Sequence, residues 1–166
     1  MNKAALFNFN VQKDARAIMI ERSFNAPLDA VWSAWTEADK LCKWWAPKPY
    51  ECVITGFDFR EGGRWSYYMQ GPEGDRHYCF FDYTSVMPKA SFAGTDGFCD
   101  EQGKINPDMP RMNWESRFSD ADGATLVRSR INFDSAEDLE KIIAMGFKEG
   151  FTQGLDQLDE LLTSSK

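Results

Sequence analysis

The chain is expected to fold as α+β: an antiparallel sheet of about six to seven strands, covered by one long C-terminal helix, with two short helices after the first strand. Three observations carry this. From about residue 50 to residue 134 the chain shows only strand signals broken by turn residues; residues 135 to 162 repeat apolar side chains at helical spacing; and residues 16 to 41 switch from period two to period 3.6.

In chain order, residues 1 to 15 are a polar lead with alternating Phe7, Phe9 and Val11, either an extra edge strand or a loosely attached arm. Residues 16 to 166 are expected to form a single domain. Ile18, Ile20 and Phe24 alternate with Met19, Glu21 and Ser23, as in a half-buried strand, which Asn25-Ala26-Pro27 ends. Leu28, Val31, Trp32 and Trp35 then fall three and four apart, with Pro27 where a first helical turn tolerates proline. A second short helix runs through Leu41, and Pro47 and Pro49 stop the pattern.

Turns at Gly62-Gly63, Gly71 to Gly74, Met87-Pro88, Asp100 to Gly103 and Ala121 to Gly123 divide the next stretch into six strands. The alternation marks a covered face carrying Trp65, Tyr67 and Met69; Met112, Trp114, Ser116 and Phe118; and Val127, Ser129, Ile131 and Phe133. Ser135 with Asp138 three places on is a helix cap, and the helix is expected to continue unbroken to about Leu162. Its apolar stripe is Leu139, Ile143, Phe147, Gly150, Phe151, Gly154, Leu158 and Leu161, with Lys148, Thr152, Asp156 and Asp159 opposite.

Composition excludes several functions. A net charge of -7 argues against nucleic-acid binding, which needs a surplus of Lys and Arg. The chain has no 18-residue apolar run and no signal-like leader, so neither membrane insertion nor export is expected and a cytoplasmic location follows. Four cysteines without a C-x-x-C pair and a single histidine give no metal set, and no cofactor motif is present. Gly62-Gly63 leads into a strand, with no G-x-G-x-x-G or G-K-[ST], so it is a turn and not a phosphate loop.

Aromatics form 14% of the chain, and large rings leave irregular gaps where a pocket can sit. Gly150 and Gly154 lie in the helix stripe despite a cost of about 1 kcal/mol each relative to alanine. Either they leave space between helix and sheet, or they permit a close backbone approach. Trp44-Trp45 is an adjacent pair in a loop, whose side chains point apart, so one of them faces a pocket mouth or a partner. His77 follows a turn and is read as solvated; no G-x-S-x-G or second histidine supplies a nucleophile system. A carboxylate buried among rings would have a raised pKa and could move protons. Asp96, on the face of Phe92 and Phe98, and Asp82, on the face of Tyr78 and Phe80, are the two candidates, and apolar residues on both sides of each strand leave the choice open.

Several motifs in combination resemble one family: Phe24-Asn25-Ala26-Pro27 with Val31-Trp32, Trp44-Trp45-Ala46-Pro47, Phe59-Arg60-Glu61-Gly62-Gly63-Arg64-Trp65, Gly71-Pro72-Glu73-Gly74, Thr125-Leu126-Val127, and Gly146 through Gly150 to Leu155 and Leu158. The match, over about residues 16 to 163, is similar to bacterial relatives of the C-terminal domain of the heat-shock chaperone ATPase activator, within the START-like or SRPBCC superfamily. The resemblance implies a helix-grip fold, a curved sheet around the C-terminal helix with a cavity between them that takes apolar molecules. The chain departs from that family's pattern in having Phe81 and Ser85 around Tyr83.

The expected function is binding of a small, largely apolar molecule in that cavity. The expected contacts are Trp65, Tyr67 and Met69; Phe80, Phe92, Asp96 and Phe98; Trp114; and Phe147, Gly150 and Phe151, with no catalytic or metal residue assigned. An enzyme of the cyclase, dehydratase or hydrolase kind using the same cavity is the alternative. A co-chaperone that binds a chaperone ATPase by its outer surface ranks behind both, and the sequence leaves the oligomeric state, a homodimer included, open.

Overall fold

A computed structural model describes residues 6 to 164. Eight strands form one antiparallel sheet in the order β1-β2-β8-β7-β6-β5-β4-β3: β1 Phe7–Gln12, β2 Ala17–Phe24, β3 Glu51–Phe57, β4 Arg64–Gln70, β5 Arg76–Met87, β6 Ser91–Cys99, β7 Asn113–Ala121 and β8 Ala124–Asn132. The six strands expected after residue 50 are all present, joined in sequence by turns and loops, the longest running from residue 100 to residue 112 between β6 and β7. The count rises to eight because the N-terminal lead, where it is described, is an edge strand: Phe7 pairs with Arg22 and Gln12 with Ala17.

Two short helices, α1 Leu28–Thr36 and α2 Ala38–Leu41, carry the chain from β2 to the far edge, where β3 begins. Pro27 stands at the N-cap of α1, and Val31, Trp32 and Trp35 point inward against β7 and β8. Trp32 meets Phe118 edge to face at 5.0 Å between centroids, and Trp35 meets Phe118 at 5.2 Å and Trp44 at 4.7 Å. Pairs of this kind contribute about 0.5–1.5 kcal/mol each beyond the area they bury. The three tryptophans thus fasten the short helices and the following loop to the sheet.

One expectation is corrected by the backbone. The C-terminal helix is two helices, α3 Ala136–Ala144 and α4 Phe147–Ser164. Ser135 caps α3 as its sequence requires, accepting the amide of Asp138 at 3.1 Å. At Gly146 the chain turns to φ +92°, a conformation that side chains beyond glycine rarely take, and the helical ladder restarts. The break rephases the buried stripe: α3 buries Leu139 and Ile142 in place of Ile143, and α4 buries Phe151, Gly154, Leu155, Leu158 and Leu162 in place of Leu161.

Position Asp156, expected to face water, also does more than that. Arg22 occupies an inward position on β2, and its guanidinium reaches Asp156 Oδ1 at 2.8 Å, pinning α4 to the sheet. Among the described residues no helix is long and apolar enough to cross a membrane.

Candidate functional site

Between the sheet and the α3–α4 junction lies a cavity of about 230 Å³. Its floor is Tyr67 and Met69 from β4, Cys79 from β5, Asp96, Gly97 and Phe98 from β6, Met112 just before β7 and Trp114 in it. Its roof is Ile142, Met145, Gly146, Phe147, Gly150 and Phe151, and the loop after α2 closes one side with Trp45 and Pro47. Met145, half exposed, marks the mouth. A smaller apolar cavity of about 150 Å³ accepts benzene, and drug-sized sites begin near 300 Å³, so the space suits a compact ring compound.

Seven of the eleven residues expected from the sequence to contact a ligand line this cavity in addition to Asp96: Tyr67, Met69, Phe98, Trp114, Phe147, Gly150 and Phe151. Three do not. Trp65 and Phe92 border a separate void of about 10 Å³ among Trp35, Phe81 and Tyr83, so at this end the core is filled by rings. Trp65 stacks on Tyr67 at 4.2 Å, and its buried Nε1 has no hydrogen-bond partner among the described residues, so it acts by packing.

Phe80 is corrected outright. It lies on the outer face of the sheet, buried under the guanidinium groups of Arg64 and Arg111 at 4.4 and 5.1 Å from its ring centre. The two arginine side chains cover the ring and leave it 1% exposed. The inward residues of β5 are Cys79, Phe81 and Tyr83. The register made this legible, because Tyr67 pairs with Cys79 and Trp65 with Phe81, and directly opposed residues share a face.

The same register separates the two aspartates. Asp82 points outward and takes a two-pronged ion pair from Arg64, at 2.6 and 3.0 Å. Asp96 points into the cavity. Its Oδ1 accepts the amide of Met112 at 2.9 Å and its Oδ2 accepts Trp114 Nε1–H at 2.9 Å, so rings and backbone surround it and its open surface is the cavity wall. Desolvation raises its pKa to about 7, against the two hydrogen bonds and the charge of Arg111, which lower it. Near neutral pH this carboxyl can therefore hold or release a proton.

Tyr67 supplies a second polar group. Its hydroxyl accepts Trp45 Nε1–H at 3.1 Å, and burial pushes its pKa well above the ordinary phenol value. Cys79 beside it is likewise pushed up to about 12 by burial, so its thiol stays protonated.

The loop pair divides as adjacent side chains must. Trp44 is fully buried and donates Nε1–H to the Ala34 carbonyl at 2.9 Å, whereas Trp45 turns its ring to the cavity. Gln157 of α4 holds the loop in place, donating to the carbonyls of Trp44 and Ala46 at 2.9 Å each.

Each glycine alternative applies to a different residue. A Cβ on Gly150 would meet only Pro47 Cγ, at 3.7 Å, so this position leaves space. A Cβ on Gly154 would stand 3.4 Å from the carbonyl oxygens of both Trp44 and Trp45, so this position permits a close approach, to a loop and not to a strand.

His77 is exposed and lies 3.1 Å from Asp75. Among the described residues no three His, Cys, Asp or Glu side chains come together as metal ligands. A second groove, of about 440 Å³, is lined by Cys42, Lys43, Lys48, Tyr50, Glu51 and Gln157 among others, and lies beyond the Trp44 to Pro47 loop. It is more polar and is edged by exposed charges, without the convergent buried groups of the first cavity.

A family model described as "Activator of Hsp90 ATPase homolog 1-like protein" matches residues 25–163. Among solved structures, a protein of Mycobacterium smegmatis is 30% identical, with a TM-score of 0.87 over 95% of this chain and 96% of that one. A protein of Arthrobacter aurescens is 25% identical, with a TM-score of 0.90 over 95% and 91%. A Silicibacter pomeroyi protein that carries the family's short name, at 22% identity and TM-score 0.73 over 90% and 99%, shares the fold. None of the curated proteins compared with the chain matches it.

Proposed function

The chain belongs to the Activator of Hsp90 ATPase homolog 1-like family, and from that premise we propose that it binds a small, largely apolar molecule in the cavity between sheet and C-terminal helices. One observation carries the proposal: an apolar space walled by Trp45, Trp114, Phe147 and Phe151, into which two polar groups, Asp96 and Tyr67, converge. Rings supply affinity through buried area, and the polar pair orients the guest. A cytoplasmic site of action accords with the chain's acidic composition.

The test is intrinsic tryptophan fluorescence across neutral ring compounds of about ten to fifteen non-hydrogen atoms. Trp45 and Trp114 line the cavity and should report occupancy. Gly150→Leu, which extends a side chain into the space, should abolish the response. Equal binding by that variant, or silence from every compound, would overturn the proposal.

A specific observation favours a second reading, an enzyme using the same cavity. A carboxyl with a pKa of about 7 facing an apolar space is suited to general acid or base work. Asp96→Asn would then abolish turnover while the cavity still takes up a neutral apolar ring with unchanged affinity. A chaperone ATPase as partner rests on the family description alone.

A further inference from the structure

We propose that the cavity selects a ring-bearing ligand that points an N–H or O–H donor at the Asp96 carboxyl and carries no anionic group. This rests on the cavity being a binding site, and it names the chemistry of the guest.

The argument begins with charge. Among the described residues lining the cavity there is no Lys, Arg or His, and Asp96 is the one carboxylate. The nearest cation, Arg111, is turned away: its Nε donates to the Asp96 backbone carbonyl at 3.0 Å, its ring-facing plane lies over Phe80 on the outer face, and its terminal nitrogen is 3.8 Å from Asp82. An anionic guest would therefore meet a like charge and no cation on the cavity wall, since Arg111 acts on Asp96 only from the outer face of the sheet.

Hydrogen-bond capacity points the same way. Both indole N–H groups on the wall are already committed, that of Trp45 to Tyr67 and that of Trp114 to Asp96. The Cys79 thiol donates to the His77 carbonyl at 3.8 Å, and the Tyr67 hydroxyl, which accepts from Trp45, keeps one O–H of its own. The larger open capacity is that of an acceptor: an ionised carboxylate has about four lone-pair sites, and Asp96 uses one on each oxygen for the protein. A donor on the guest completes that set. If the donor is a protonated amine it also brings a counter-charge to this half-buried carboxylate, and the surrounding ring faces favour a cation.

The charged and titratable groups around Asp96 are Tyr67 from β4 and Cys79 from β5 on the cavity side and Arg111, before β7, on the outer face of the sheet; α3 and α4 present only Ile142, Met145, Gly146, Phe147, Gly150 and Phe151. Of these, Tyr67 and Cys79 stay protonated through neutral pH, their pKa values being raised by burial. Asp96 is thus the group whose charge changes there.

The experiment uses four probes on the full chain at pH 7.5: naphthalene, 2-naphthol, 2-naphthylmethylamine and 2-naphthoate, with affinities from tryptophan fluorescence. The naphthol and the amine should each bind about tenfold tighter than naphthalene, and naphthoate at least about tenfold weaker, as one charge-assisted hydrogen bond or its loss would give. The amine arm separates charge pairing from the plain hydrogen bond of the naphthol arm. In Asp96→Asn the amine should fall to the affinity of naphthalene, which itself stays unchanged. A second measurement needs no variant: in the unaltered chain the amine's advantage should grow from pH 6 to pH 8, while naphthalene binding stays flat. Naphthoate binding as tightly as naphthol, or donors indistinguishable from naphthalene, would overturn the selectivity and leave the cavity reading standing. Silence from all four probes would overturn both.

Discussion

Replacing Gly150 and Gly154 by alanine, one at a time, separates a cavity glycine from a packing glycine on the same helix. In α4 either change recovers about 1 kcal/mol of helix propensity. At Gly150 the new methyl faces the cavity and touches only Pro47 Cγ at 3.7 Å, so it adds some of the ~0.8 kcal/mol that burying one such group contributes. The net expectation is a gain of ~1–2 kcal/mol, which for a domain of this size raises Tm by about 3–6 °C. At Gly154 the methyl sits at 3.4 Å from two carbonyl oxygens, one of which, on Trp44, also accepts Gln157 Nε2. Contact with polar atoms that prefer a donor offsets the helix gain, and the net change should lie within about 0.5 kcal/mol of zero. Valine at 154 has nowhere to put its extra carbons and should cost ~1–3 kcal/mol. Thermal unfolding followed by circular dichroism at one pH measures all three. If Gly154→Ala raises Tm as much as Gly150→Ala, or if Gly150→Ala lowers it, the assignment of space to one and close approach to the other is wrong.

Two further predictions concern the cavity's rim and floor. Gly146→Ala should destabilise the fold by ~1–2 kcal/mol through backbone strain alone, since φ is +92° and a Cβ there meets nothing within 4 Å; a melting temperature equal to that of the parent would show that the α3–α4 break does not need glycine. Asp96 should make stability fall as pH rises. Its folded pKa of about 7 exceeds the ordinary carboxylate value of 3.8, so between those limits the folded state binds more protons than the unfolded one and each step up in pH favours unfolding. The contribution is complete below about pH 4, is lost by about pH 7, and is of the order of a few kcal/mol. Urea unfolding of the parent and of Asp96→Asn at pH 5 and pH 8 should show the parent losing stability relative to the variant at the higher pH, and a constant difference would refute the linkage.

Much of the molecule was legible before any fold was known, and the reason is local. Strand residues 17 to 24 and the Trp65, Tyr67 and Met69 row alternate because one side of each strand is buried and the other is wet. Pro27, Ser135 and the three-and-four spacing of Val31, Trp32 and Trp35 identify helix starts and faces within a few residues of chain. The joint between α3 and α4 escaped because Gly146 fits an unbroken stripe as well as it fits a break; only its φ distinguishes them.

What the sequence by itself determined is the element order, the covered face of the sheet and the presence of bulky rings around small helix residues, all set by periodicity and turn chemistry over short distances. What only the tertiary structure decided is the side on which chemistry sits. Strand β5 is apolar on both faces, so the pairing of Tyr67 with Cys79, and not any pattern within β5, sends Phe80 outward under two arginines. The same ladder turns Asp82 toward Arg64 and Asp96 toward the cavity. Two aspartates alike in sequence thus become a solvated ion pair and a desolvated acid, because register and burial are properties of neighbours that the chain brings together only on folding.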